Sequence, residues 1–314
     1  MDPLLLLSES VGFFTRPQAM DCGVSDREIA ALVRRGAWRR FRRGYYCHAI
    51  VWDRLDHVAQ HRVRCRAVID SMGPDVVALS HGSGALAHHL DVWNVDLRRV
   101  HVTRLDGGAG RTEGDVVHHE GLVGRDEVQM IDDMPVLPAV RCALETASRT
   151  GSEEALCLLD SGLHRAAYDP DQLMAQFKVM YHWPHTRHLH IPVRMADGAS
   201  ASVGESRCRW FFWRHGIPAP LLQFPVHDGD ELIGIVDWAW PARKALGEFD
   251  GRIKYGRLLE AGMEPGDVVF AEKRREDRIR AVTGFVMVRM VWDDLQRPRV
   301  LADHLRSVLG VMAG

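Results

Sequence analysis

Near the amino terminus two short helices, each with its own start and stop signals, are followed directly by an arginine-rich segment. Thr15 before Arg16-Pro17 marks a helix start and Gly23 a helix stop. Ser25, with Glu28 three residues later, forms a capping box for the next helix. Ile29, Leu32 and Val33 give that helix one apolar stripe, and Gly36 ends it. A further short helix is expected over Pro3 to Ser10. Trp38 and Phe41 can anchor a hairpin whose turn is Arg43-Gly44. Helix, tight turn, helix and basic hairpin is the order of a winged helix-turn-helix. Arg34, Arg35, Arg39, Arg40, Arg42 and Arg43 fall within ten residues that contain no acid. Such a patch suits phosphate contacts, while the second helix can read base edges in the major groove.

Composition bears on this because the net charge of the chain is only −2. The chain is no polycation, so any nucleic-acid binding has to come from a local patch. A length of 314 residues, 46% of them hydrophobic and 26% charged, allows two or three globular domains. Six cysteines, Cys22, Cys47, Cys65, Cys142, Cys157 and Cys208, form no CxxC pair. That argues against a zinc ribbon or a disulfide scaffold and fits a reducing cytosol. Leu4 to Leu7 is too short for a signal-peptide core, and no apolar run reaches membrane-spanning length. A cytoplasmic protein without membrane contact is expected.

The run GFFTRPQAMDCGVSDREIAALVRRGAWRRFRRGYY resembles the N-terminal domain of AbiEi-type antitoxins from type IV toxin-antitoxin systems. The resemblance implies binding to operator DNA, repression of the protein's own operon and a toxin partner encoded nearby.

The middle of the chain alternates helical and strand-like patterns. Helices are expected over Val58 to Met72, His81 to Leu90, Ala139 to Ala147 and Ser152 to Leu163. Strands are expected over Val76 to Ser80, Val100 to Thr103 and Val116 to His119. The glycine-rich stretch Asp106 to Gly110 lacks the Lys-Ser/Thr of a phosphate loop and reads as a hairpin loop. The segments ALSHGSGALAHHLDVW and VHVTR resemble the second domain of AbiEi-like proteins. Their histidines read as structural, because no carboxylate or cysteine is spaced with them. A second group, His182, His185, His188 and His190, places four histidines in nine residues. His188 and His190 are two apart and would not share a helix face, so this segment reads as a basic lip rather than a metal site.

After the small-residue joint Gly198 to Ser202, the pattern becomes helix, strand, strand, strand. The helix spans Ser202 to His215, and the strands span Leu221 to Val226, Leu232 to Trp238 and Ala245 to Asp250. A following helix carries Glu260 and Ala261, Val268 to Phe270 opens a further strand or loop, Glu272 to Ala281 is helical, and Phe285 to Val291 is a last strand. Asp237 ends one strand, and Glu248 and Asp250 share a face of the next. A short turn joins these strands, so the acids can converge on Mg²⁺ or Mn²⁺. Such a metal can activate water and offset charge on a phosphodiester.

The segments SVGESRCRWFFWRHGIPAPLLQFPV and IVDWAWPARKALGEFDG resemble the PD-(D/E)XK nuclease superfamily, and more narrowly its very-short-patch-repair-like endonucleases. The resemblance makes Glu205 the helix acid, Asp237 the motif Asp, Glu248 the following acid and the Phe249 carbonyl a backbone metal ligand. The superfamily's Lys falls at Asp250, which leaves Lys254 or Lys273 to supply positive charge. The expected architecture is a multi-domain α/β protein: a winged helix-turn-helix over residues 1–52, an AbiEi-like α/β middle domain and helical linker over 53–197, and a restriction-endonuclease-like α/β domain over 198–314. Two functions follow from it: a Mg²⁺-dependent DNA endonuclease, or an antitoxin-like repressor whose nuclease-like domain is inactive.

Overall fold

The computed structural model describes residues 2–121, 123–251 and 265–311, with the side chains of Arg125 and of residues 265–272 left aside. It is a mixed α/β chain with three sheets among the described residues. By compactness it divides into two units: residues 1–155 with 167–189, and residues 156–166 with 190–314.

The first unit opens with α1 (Pro3–Ser10), β1 (Phe14–Thr15), α2 (Arg16–Asp21) and α3 (Asp26–Arg34). Each helix begins where a side chain satisfies free backbone N–H groups. Asp2 accepts from the Leu4 N–H, and capping boxes join Thr15 to Gln18 and Ser25 to Glu28. Gly23, at φ +83, turns the chain between α2 and α3. The hairpin β2 (Trp38–Arg42) and β3 (Tyr45–His48) follows, with Gly44 at φ +80 in its turn. β1 joins it to give a sheet ordered β1-β3-β2. Leu4, Phe14, Ala19, Ile29, Trp38 and Tyr46 form the core beneath these helices.

Next come α4 (Ala49–Trp52), α5 (His57–Met72), β4 (Val77–Leu79), α6 (His81–Ala87), β5 (Val100–Arg104), β6 (Arg111–Glu113), β7 (Val116–His119), β8 (Gln129–Ile131), β9 (Met134–Val136) and α7 (Ala139–Ala147). The six strands form one sheet ordered β6-β7-β5-β4-β9-β8, in which β5 runs parallel to β7 and β4 to β9. The glycine-rich loop after β5 is therefore not a hairpin loop. β7 lies between β5 and β6, so the loop carries the chain past one strand to the sheet edge. Its fold is local: the Asp106 carboxylate pairs with Arg104 and accepts from the Gly108 N–H at 3.1 Å. The boundary between the units falls within α8 (Ser152–His164), after which α9 (Pro170–Met180) returns to the first unit.

The second unit continues with α10 (His190–Met195), α11 (Val203–Arg214), β10 (Leu221–Asp228), β11 (Glu231–Trp240), β12 (Ala245–Phe249), α12 (Pro265–Thr283), β13 (Val286–Met290), α13 (Trp292–Leu295) and α14 (Pro298–Leu309). Its sheet is ordered β10-β11-β12-β13, antiparallel except for the parallel β12–β13 pair. Along β11 alternation sends Trp238 and Trp240 to one face and Ala239 to the other, and a break in it between Val236 and Trp238 puts Val236 with Ala239. The tryptophans pack with Phe211 and Phe212 of α11 and Leu301 and Leu305 of α14. Val236 and Ala239 pack with Leu246, Met287 and Ile279 of α12. The expected strand or loop at Val268 to Phe270 is instead part of α12, which starts earlier, at Pro265, a residue suited to a first helical turn. Residues 252–264, with Lys254, Glu260 and Ala261, lie outside the described residues.

Candidate functional site

Sheet geometry sorts the six arginines of the basic segment. In β2 the ladder opposes Arg40 to Tyr46 and Arg42 to Tyr45, with a shift of register between them. Tyr45 and Tyr46 point to opposite faces, so this bulge sends Arg40 and Arg42 to opposite faces as well. Arg42 goes with Tyr45 toward α5, where its guanidinium donates to Asp115 at 2.6 Å and to the Ser71 hydroxyl at 3.1 Å. Phe41, at the bulge, stacks on Trp52 with ring centroids 4.7 Å apart. Arg39 makes a two-pronged pair with Asp53 at 3.0 and 2.6 Å. The absence of acids from the linear segment therefore does not carry over into space, because Asp53 and Asp115 arrive from later in the chain. Arg34, Arg35, Arg40 and Arg43 are exposed and have no side-chain partner among the described residues.

The acids of the second unit are neighbours of arginines. The β11–β12 ladder pairs Trp238 with Gly247, the residues next to Asp237 and Glu248 in sequence. Asp237 accepts the Phe249 N–H at 2.7 Å. Glu248, almost fully buried, is paired with Arg275 of α12 at 2.6 Å and with Arg289 of β13 at 3.4 Å. Arg289 also reaches Asp250 at 3.4 Å and Glu276 at 2.7 Å. Glu205, 3% exposed, accepts from the Ser202 hydroxyl at 2.7 Å, the Ala201 N–H at 3.0 Å and the Gln223 amide at 3.2 Å. Lys273, on α12, is exposed. A Mg²⁺ or Mn²⁺ site needs several hard oxygens converging on one point. Among the described residues no three carboxylates bring oxygens within 4.8 Å of one another. The guanidinium groups of Arg275 and Arg289 stand against Glu248, and that of Arg289 also against Asp250.

A different polar cluster does converge. His81 begins α6, His101 lies on β5 and His119 ends β7. The parallel β5–β7 register opposes His101 to Val117, which puts His101 and His119 on the same face. One ring nitrogen from each of the three lies within 4.8 Å of the others. His101 Nδ1 and His119 Nε2 are 2.9 Å apart, and the His81 and His119 rings stack with centroids at 3.6 Å. Glu145 of α7 meets His81 Nδ1 at 3.2 Å and Arg141 Nε at 2.9 Å. Burial, aided by the neighbouring His81, pushes His101 down to about 3 and His119 down to about 2. Burial raises Glu145, but His81 and Arg141 outweigh it and hold the carboxyl at about 2. His81 and His101 line a cleft of about 630 Å³ that Arg98, Arg99 and Arg149 also line.

Residues 1–48 match the family model described as transcriptional regulator, AbiEi antitoxin. The match ends with β3, so it takes in the three helices and the hairpin. The chain is also similar to two uncharacterized proteins of Mycobacterium tuberculosis, one from strain CDC 1551 / Oshkosh and one from strain H37Rv. Identity is 30% over 102 residues in both cases. That stretch covers 32% of this chain and 34%, about a third, of those relatives. No helix among the described residues is long and apolar enough to cross a membrane.

The histidine cluster removes the premise of one expectation without deciding it. The histidines of the middle segment read as structural because no carboxylate stood near them in sequence. Glu145 comes from α7, far along the chain, and supplies that carboxylate. The one signal in the sequence was a pair of strand-like segments, VHV and VVHH, each carrying a histidine. In the other histidine-rich segment His182 and His185 are exposed, and His188 bonds the Ala147 carbonyl at 3.2 Å.

Proposed function

We propose that the chain is a DNA-binding transcriptional regulator of the AbiEi antitoxin kind, with residues 1–52 as a winged helix-turn-helix. On this reading α3 enters the major groove, and the β2–β3 hairpin tracks the adjoining backbone. The observation that carries it is the match of residues 1–48 to a regulator family, on a segment that presents Arg34, Arg35, Arg40 and Arg43 without protein partners among the described residues. Arg39 and Arg42 contribute less, since each is tied to an aspartate. The same reading makes a toxin encoded nearby the protein partner and the cytoplasm the place of action. The test is a reporter gene placed behind the chain's own upstream region. Wild type represses it, and Arg34→Ala with Arg35→Ala releases repression. Equal expression with and without the wild-type chain removes the regulator reading.

We propose further that residues 198–314 carry a PD-(D/E)XK-like scaffold that does not cleave DNA. In favour of the scaffold is the order of α11, β10, β11 and β12. Against cleavage are Arg275 and Arg289 on Glu248, and an acid at position 250 where the superfamily has its Lys. This part then serves as a contact surface, with residues 53–197 joining it to the DNA-binding module.

A further inference from the structure

We propose that His81, His101 and His119 form a binding site for a divalent transition-metal ion, Zn²⁺ by the chemistry of its ligands. Three imidazoles from three separate elements bring ring nitrogens within 4.8 Å of one another. Imidazole suits Zn²⁺, Co²⁺ and Ni²⁺ and is a poor match for Mg²⁺ or Ca²⁺. In a tetrahedral zinc site with Zn–N bonds of about 2.0–2.1 Å, ligand nitrogens stand about 3.3 Å apart. The 2.9 Å between His101 Nδ1 and His119 Nε2 is close to that spacing, while His81, whose ring stacks on that of His119 at 3.6 Å, has to turn about its side chain to aim Nε2 at the same ion.

Glu145 supplies the second half of the argument. A metal-binding histidine usually donates its other ring N–H to a carboxylate or carbonyl, which fixes the tautomer and the ring. His81 Nδ1 lies 3.2 Å from Glu145 Oε2, so its Nε2 is the nitrogen left for an ion. Glu145 is itself buried and held in place by Arg141 at 2.9 Å. The backbone adds support. His81 sits at φ +48, a conformation a side-chain-bearing residue rarely adopts, and such strain is concentrated at functional positions. His81 and His101 line a cleft of about 630 Å³, which gives an ion and an exchangeable fourth ligand a way in.

The experiment uses the untagged full chain stripped with a chelator. Co²⁺ is titrated and the visible bands of tetrahedral cobalt are followed. Zn²⁺ is then titrated by calorimetry and by thermal melting. The expected result is one ion per chain, tetrahedral cobalt bands and a melting temperature raised by Zn²⁺. His101→Ala and His119→Ala should each abolish the cobalt bands. Glu145→Gln, if folded by circular dichroism, should weaken zinc binding by about 10–100-fold, the usual effect of losing such a carboxylate. His182→Ala with His185→Ala should leave binding unchanged and excludes capture by exposed histidines. Absence of cobalt bands and of any zinc-dependent melting shift would overturn the site. So would binding that survives in His101→Ala and His119→Ala.

Discussion

Replacing Arg40 and Arg43 together with alanine removes two exposed cations that have no protein partner among the described residues. If both touch phosphate, the change shows most clearly in the salt dependence of DNA binding. Each phosphate contact contributes about 0.9 to the slope of log affinity against log salt, so the pair accounts for about 1.8. Over a fourfold rise in salt, from about 50 to about 200 mM, the deficit of the double variant should therefore shrink by about 12-fold. Arg42 is the control, because it carries the same charge in the same hairpin but is held on the other face. Its guanidinium is tied to Asp115 at 2.6 Å and to Ser71 at 3.1 Å, so Arg42→Ala should leave the slope as it was. Its effect falls on stability instead. Asp115 already has one buried oxygen, Oδ2, without a partner, and removing Arg42 strands the other. A stranded, partly buried group of this kind costs about 1–3 kcal/mol. Fluorescence anisotropy at several salt concentrations and urea unfolding read the two effects separately. The reasoning is refuted if Arg42→Ala flattens the slope as much as the double variant, or if the double variant leaves it unchanged.

Other expectations follow from buried groups. With Mg²⁺ or Mn²⁺ present the chain should leave plasmid and linear DNA intact, and metal-dependent cleavage that Asp237→Ala abolishes would restore the endonuclease reading. Gly204→Ala should destabilise the second unit by about 1–3 kcal/mol, as overpacking does. The added Cβ would lie 2.0 Å from Phe249 Cε1, so a stability unchanged in urea would contradict the close α11–β12 packing. His61 is fully buried between the Leu97 carbonyl and the Ser83 hydroxyl, and burial lowers it from 6.5 to about 4 despite the Leu97 bond. The unfolded chain then binds the extra proton between those values, so this stability is present above about pH 6.5 and is lost as pH falls toward 4. From about pH 7 to pH 5 the wild type should lose about 2 kcal/mol more unfolding free energy than His61→Gln, and equal losses would contradict the assignment.

What the sequence made legible was local. Thr15 with Gln18 and Ser25 with Glu28 cap helices through contacts three residues apart, so their pattern is visible in the linear order. Gly23, Gly36 and Gly44 all take positive φ, which is why they punctuate the helices and the hairpin. Long-range pairing was not legible. Asp115 meets Arg42 across 73 positions, and nothing in the basic segment foreshadows it. The bulge that separates Arg40 from Arg42 depends on how Phe41 seats on Trp52, which is a tertiary contact. Alternation put Glu248 and Asp250 on one face correctly in principle, yet it could not say that Arg275 and Arg289 would meet them there. The histidine trio failed to stand out for the same reason: its members lie on a helix start and two strands, and their carboxylate comes from a fourth element. The glycine-rich loop was misjudged because strand order is not a local property.

The most direct test of the regulator account is the ratio of specific to non-specific DNA affinity of the full chain. A duplex is selected from a random pool, and its binding is compared with that of a scrambled duplex of equal length and composition at one physiological salt concentration. A sequence-reading winged helix-turn-helix should bind the selected duplex at least about 10³-fold more tightly, the low end for specific DNA-binding proteins. Equal affinity for the two duplexes, or no binding to either at low salt, would contradict the claim that residues 1–52 read DNA.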